Sequence, residues 1–214
     1  GGDGVNTAVV GTYLVTYDVS DLQGNPATQV VRTVEVFDDE PPVITLVGDN
    51  PQIVALNGTY TELGATASDN VDGDISGNIV IDASNVDVNS LGTYTVTYNV
   101  SDSEGNAAVE VTRTVTVTDQ TAPVITLVGD NPQIIALNST YTELGATASD
   151  NVDGDISGDI VIDASNVDVN AFGSYTVTYN VMDAAGNAAT EVTRTVIVED
   201  VIAPVITLVG DNSL

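Results

Sequence analysis

The side chains of this sequence that could do chemistry are nearly all carboxylates. There are 31 Asp and Glu against three Arg, with no His, Cys or Lys, and the formal charge is −28. Without imidazole, thiol or amine, two kinds of chemistry remain open to carboxylates. One is acid–base hydrolysis of a glycosidic type, which needs two carboxyls tuned apart; the other is coordination of a hard cation. The placement of the acids distinguishes them. Asp69, Asp72 and Asp74 lie in the loop DNVDGD, Asp102 and Asn106 bound the turn DSEGN, and Asp38 stands in the segment leading into both. The same set recurs as Asp150, Asp153, Asp155, Asp183, Asn187 and Asp119. A constellation repeated in this way suits scaffolding rather than a unique active site, and no sequence feature marks a cleft that would tune one carboxyl, so the chain is read as not an enzyme.

The elements that must position these residues follow from a long internal repeat. Pro42, Pro123 and Pro204 each open the segment PVITLVGDN, a period of 81 residues. Residues 42–119 and 123–200 differ at 12 of 78 aligned positions. Residues 1–38 align with the last part of a repeat, and residues 204–214 with its first strand. A unit of this size suits a small domain with its own core rather than a solenoid repeat.

Within residues 42–119, VITLV (43–47), QIVAL (52–56), LGATAS (63–68), NIVIDAS (78–84) and NVDVN (85–89) read as short strands separated by Gly, Pro, Asn and Asp turns. TYTVTYNV (93–100) alternates strictly, with Tyr94, Val96, Tyr98 and Val100 on one face and Thr95, Thr97 and Asn99 on the other. The turn at Asp102, Gly105 and Asn106 joins it to VEVTRTVTV (109–117) as an antiparallel hairpin. No segment has a helical period. The fold class is therefore all-β: tandem immunoglobulin-like antiparallel β-sandwiches. Tyr94, just after Gly92, stands where such sandwiches hold a tyrosine corner.

In that fold the loop after the second strand, the last hairpin turn and the incoming linker meet at one end. Asp38, Asp69, Asp72, Asp74, Asp102 and Asn106 then converge, and Asp119, Asp150, Asp153, Asp155, Asp183 and Asn187 repeat the arrangement. The expected ion is Ca2+, which accepts six to eight oxygens in irregular geometry, whereas zinc and copper want ligands this chain lacks. DNVDGD has the residue types of an EF-hand loop but neither its spacing nor flanking helices.

Arg113 poses a conflict. It alternates in phase with Val111, Val115 and Val117, which aims a charge into the core, as do Arg32 and Arg194 in their repeats. The expectation is a bulge or strand end that lets the guanidinium escape to a carboxylate while its stem packs. Six of the eight tyrosines fall on core-facing positions, leaving Tyr60 and Tyr141 as the only candidate platforms for a sugar.

Composition sets further bounds. The 43% hydrophobic content, much of it β-branched, argues for a folded chain despite its charge. So acidic a surface is repelled by nucleic acid and anionic lipid, and no apolar run spans a bilayer, so neither nucleic-acid binding nor direct membrane insertion is expected. Any signal or anchor is expected outside this segment.

PPVITLVGD after an acidic linker, ATASDNVDGDI, and GTYTVTYNVSDSEGNAA followed by TRTVTV resemble the bacterial surface Ig-like domains related to the hyalin repeat. The resemblance covers both complete repeats and both partial ones, and implies an extracellular or cell-surface location in long adhesins or secreted enzymes, where tandem copies act as spacers. Hyalin repeats usually carry Cys, and an apolar residue where Arg113 stands, so this chain departs from that branch. The leading expectation is a stalk of an adhesin-like protein, stiffened by Ca2+ where repeats meet. Its partners are the neighbouring repeats and a cell-surface or glycan target reached through regions beyond this segment. The alternatives are a glycan- or ice-binding module, an accessory region of a secreted enzyme, or a filament whose copies exchange strands head to tail.

Overall fold

The computed structural model describes residues 4–210. The chain divides into two units, Gly1–Thr118 and Asp119–Leu214. The first unit opens with an antiparallel hairpin, β1 (Gly11–Tyr17) and β2 (Val30–Val36), in the register Gly11↔Val36 to Tyr17↔Val30. A complete sandwich follows, with β3 (Val43–Leu46), β4 (Gln52–Ala55), β5 (Ala65–Asp69), β6 (Gly73–Asp74), β7 (Val80–Asp82), β8 (Gly92–Asn99) and β9 (Val111–Thr118). Its sheets have the orders β3-β5-β6 and β4-β9-β8-β7. The second unit repeats this design in β10 (Val124–Leu127), β11 (Gln133–Ala136), β12 (Ala146–Asp150), β13 (Gly154–Asp155), β14 (Val161–Asp163), β15 (Gly173–Asn180) and β16 (Val192–Glu199), with orders β10-β12-β13 and β11-β16-β15-β14.

The alternation read from TYTVTYNV sets the core. Val96 and Tyr98 face inward from β8, with Val100 just past its end, Val115 and Val117 from β9, and Ile44, Val54 and Ala67 close the cluster. The tyrosine corner forms as expected, with the Tyr94 hydroxyl donating to the Ser90 carbonyl at 2.9 Å. Tyr13 and Tyr175 make the same bond to Val9 and Ala171.

The chain changes sheets between β3 and β4. β3 pairs antiparallel with β5, while β4 pairs parallel with β9 in the other sheet. The break that allows the switch is the GDNP segment. Gly48 has φ +79°, and a Cβ there would stand 2.8 Å from Leu63 Cδ1, so the turn requires glycine. Asn50 then bridges to β9, its Oδ1 accepting the Thr114 amide at 2.9 Å and its Nδ2 donating to the Thr112 carbonyl.

Three expectations are corrected. NVDVN (85–89) is not a strand: the Val86 amide closes a turn on the Ala83 carbonyl, and the Val88 carbonyl accepts the Asn57 amide. Residues 204–210, the described part of the expected first strand, lie in no strand of the structure; residues 211–214 lie outside the described residues. Arg113 does not escape. The β8–β9 ladder runs unbroken through Val96↔Arg113, and the side chain is fully buried.

Burial of Arg113 is made tolerable by acceptors from remote parts of the chain. Its Nη2 donates to the Val47 and Gly64 carbonyls at 2.6 and 3.0 Å, Nη1 to the Asp49 carbonyl at 2.6 Å, and Nε to the Tyr98 hydroxyl at 3.0 Å. Tyr98 donates onward to Glu62, which also accepts from Tyr60 and from the Gly64 amide. Burial pushes Glu62 up, but the Tyr60 and Tyr98 hydroxyls, the Gly64 amide and Arg113 outweigh it and hold the carboxyl below its usual range. Burial, with Glu62 as neighbour, raises the Tyr60 and Tyr98 phenols. In the second repeat Arg194 is equally buried and pairs with Glu143 at 3.2 Å. Tyr60 and Tyr141 are thus half-buried members of this network rather than exposed platforms.

Candidate metal centre

Three of the expected ligands come together in each repeat. One oxygen from each of Asp38, Asp69 and Asp102 lies within 4.8 Å of the others, and Asp119, Asp150 and Asp183 form the same trio. Asp38 follows β2, Asp69 ends β5, and Asp102 opens the turn between β8 and β9, so strand ends of the sandwich and the incoming chain fix the three positions.

Each carboxylate is held from one side by backbone amides. Asp69 Oδ1 accepts the Val71 and Asp72 amides at 2.8 and 2.9 Å, and these bonds hold its carboxyl below the usual range. Asp102 Oδ1 accepts the Asn106 amide at 2.7 Å, and Asp38 Oδ1 accepts the Glu40 amide at 3.2 Å. In the second trio Asp150 is bonded alike by the Val152 and Asp153 amides and is lowered in the same way.

The opposite oxygens are the informative ones. Asp38 Oδ2, Asp69 Oδ2, Asp119 Oδ2 and Asp150 Oδ2 are buried and accept no hydrogen bond. Asp38 and Asp119 are only 7% and 8% exposed. A buried anionic oxygen without a partner is costly, and two per trio, beside a third carboxylate, form a cage of hard oxygen donors. The residues present fit a divalent cation with an oxygen coordination shell.

The remaining expected ligands do not join the trios. Asp72 ties the loop to the hairpin turn, accepting the Ser103 amide and hydroxyl at 2.7 and 2.9 Å; Asp153 does so for the Ala184 amide. Asp74 and Asp155 turn away to accept the amide and hydroxyl of Ser76 and Ser157, anchoring short 3-10 turns at Ser76–Asn78 and Ser157–Asp159. Asn106 and Asn187 act as braces: each side-chain amide donates to Asp102 or Asp183 and also to the backbone carbonyl of Asp38 or Asp119. The loop spacing alone did not separate these roles. Ser at positions 76 and 157, two residues after an Asp, was the signal that Asp74 and Asp155 would be consumed locally.

The described residues contain no helix long and apolar enough to cross a membrane. The chain is 33% identical over 194 residues to an uncharacterized 81.3 kDa protein of Acholeplasma phage L2, covering 86% of this chain and 26% of that one. It is 35% identical over 225 residues to hyalin of Lytechinus variegatus, covering 94% and 40%. It is 36% identical over 114 residues to the outer cell wall protein of Brevibacillus brevis, covering 46% and 11%. The chain thus spans at most two fifths of the length of these relatives. The model of the bacterial surface protein Ig-like domain matches residues 1–36, 44–117 and 125–198, the three stretches that carry the hairpin and the two sandwiches, and to that family this chain belongs.

Proposed function

We propose that these repeats are a non-catalytic extracellular spacer whose linkers are pinned by Ca2+, one ion at each aspartate trio. The observation that carries the reading is the pair of buried, unpartnered oxygens on the linker aspartate and the loop aspartate of each repeat. Asp38 and Asp119 sit where the chain leaves one repeat and enters the next, so a cation bound there ties the linker to the loops of the repeat it enters. Asn106 and Asn187 already hold the linker carbonyl from the same turn, which prepares the site at little ordering cost. The family and the outer cell wall relative support a cell-surface setting, where Ca2+ sites with affinities of about 10⁻⁴ to 10⁻³ M are occupied.

The test is calorimetric titration of Ca2+ with small-angle scattering and melting in Ca2+ and in chelator. Two ions bound per chain, a higher Tm and a narrower distribution of dimensions in Ca2+ are expected. An unchanged melting temperature together with no binding heat would sink the calcium reading.

A further inference from the structure

The parallel ladder between β4 and β9 sets how a repeat meets a load applied through its ends. Gln52↔Val115 lies at one end of this ladder and Ala55↔Thr118 at the other, with the Leu56 amide adding a bond to the Thr118 carbonyl. The incoming chain passes through β3, held by β5, and then reaches the ladder at the N-terminal end of β4, while the outgoing chain leaves from the C-terminal end of β9. Tension between them pulls the two parallel strands past each other, so the ladder bonds bear the load together. In an antiparallel hairpin opened from its free ends, bonds break one after another.

Two further ties reinforce the same joint. The Arg113 guanidinium, rooted in β9, holds the Val47 and Asp49 carbonyls just ahead of β4, and the Asn50 side chain bonds the Thr112 carbonyl and Thr114 amide of β9. The second repeat repeats the design, with β11 parallel to β16, Asn131 on Thr193 and Thr195, and Arg194 on Val128.

We infer that each complete repeat is a load-bearing module whose mechanical strength resides in the shear joint between the strand after the Asn-Pro turn and the final strand. The inference rests on the spacer reading for its use, while its geometry belongs to the single repeat.

The chain has no Cys, so handles can be placed at will. In optical tweezers with chelator present, a Pro41→Cys/Gln120→Cys variant loads the joint in shear. A Ser90→Cys/Gln120→Cys variant opens the β8–β9 hairpin from its free end, where Gly92 faces Val117. Rupture at no less than twice the force is expected for the shear pair. Adding Asn50→Ala, an exposed change, is expected to lower the shear force and leave the peeling force unaltered. A shear force no greater than the peeling force, or an Asn50→Ala change that moves both alike, overturns the proposal. Because chelator is present throughout, the outcome is separate from the titration that tests the calcium reading.

Discussion

Each repeat buries two clusters of charge, and they are built on opposite terms. At the Arg113 hub four donor contacts reach three backbone carbonyls and a phenol, with Glu62 completing the network through Tyr98. At the aspartate trio three like charges converge, and two of their oxygens are buried with no donor at all. The first cluster is satisfied by the protein's own backbone and is therefore structural. The second finds no partner for its inner oxygens among the described residues, and the proposed cation would supply one. Burial of charge alone does not mark a candidate ligand site, and neither does one unpartnered atom, since Arg194 Nε is buried without an acceptor; what sets the trio apart is several unpartnered anionic oxygens converging on one point.

Removing the hub should have the largest effect. Arg113→Ala leaves the Val47 and Asp49 carbonyls and the Tyr98 hydroxyl without the guanidinium, while the Gly64 carbonyl keeps only the Val47 amide, and a loss of about 3–5 kcal/mol is expected in urea unfolding of the first repeat. The unfolding of the second repeat should stay at the wild-type midpoint. A loss under about 1 kcal/mol would mean that the hub is less closed to water than the trio and would break the contrast.

Next in size is the response of the trio to its ion. With a Kd of about 10⁻⁴ M, 10 mM Ca2+ should stabilise a repeat by about 2.7 kcal/mol. Asp38→Asn should abolish the gain for its repeat. In chelator the same variant should melt at or above wild type, because it removes a repulsive charge. A destabilised Asp38→Asn in chelator would show that the carboxylate is needed for structure without an ion.

Acid separates the clusters in another way. The Glu62 carboxyl is depressed below its ordinary value of 4.5, so the stability it contributes is present above that value and is lost as pH falls through the folded-state value. Tyr60 and Tyr98 are raised above 10, so their contribution is intact below 10 and is lost as pH rises further. Thermal melting of the chelated protein from pH 3 to 11 should fall at both extremes, and Glu62→Gln should flatten the acid limb.

The smallest expected effect is a difference between the two trios. Asp39, Glu40 and Glu104 flank the first, where Gln120, Thr121 and Ala185 flank the second. Ca2+ affinity at the first trio should be a few-fold higher, and the gap should narrow with added salt. Glu104→Ala with titration at low and high salt checks it.

The sequence disclosed the sandwich because its signals are local: TYTVTYNV alternates, Gly92 precedes Tyr94, and Asp102 with Asn106 closes a turn. The alternation aimed Arg113 inward, yet escape at a bulge or strand end was expected, because the acceptors that make burial possible lie at positions 47, 49 and 64, where local pattern carries no message. The switch of β4 into the other sheet escaped for a related reason, since QIVA reads the same whether its partner is parallel or antiparallel. For the metal centre, the three converging aspartates were among the expected set, yet Asp72, Asp74 and Asn106 could not be told from them by residue type. Their roles depend on Ser103, Ser76 and the Asp38 carbonyl, contacts of the folded chain.

The parallel ladder also fixes when a repeat can close. β4 is made early and waits for β9, the last strand of its repeat. A chain emerging from its N-terminus therefore completes a repeat only once Thr118 has appeared, and the next residue, Asp119, is already a member of the following trio. Closure thus proceeds one repeat at a time along the growing chain. The stretch left unfolded at any moment stays within a single repeat, which limits pairing between strands as nearly identical as β4 and β11.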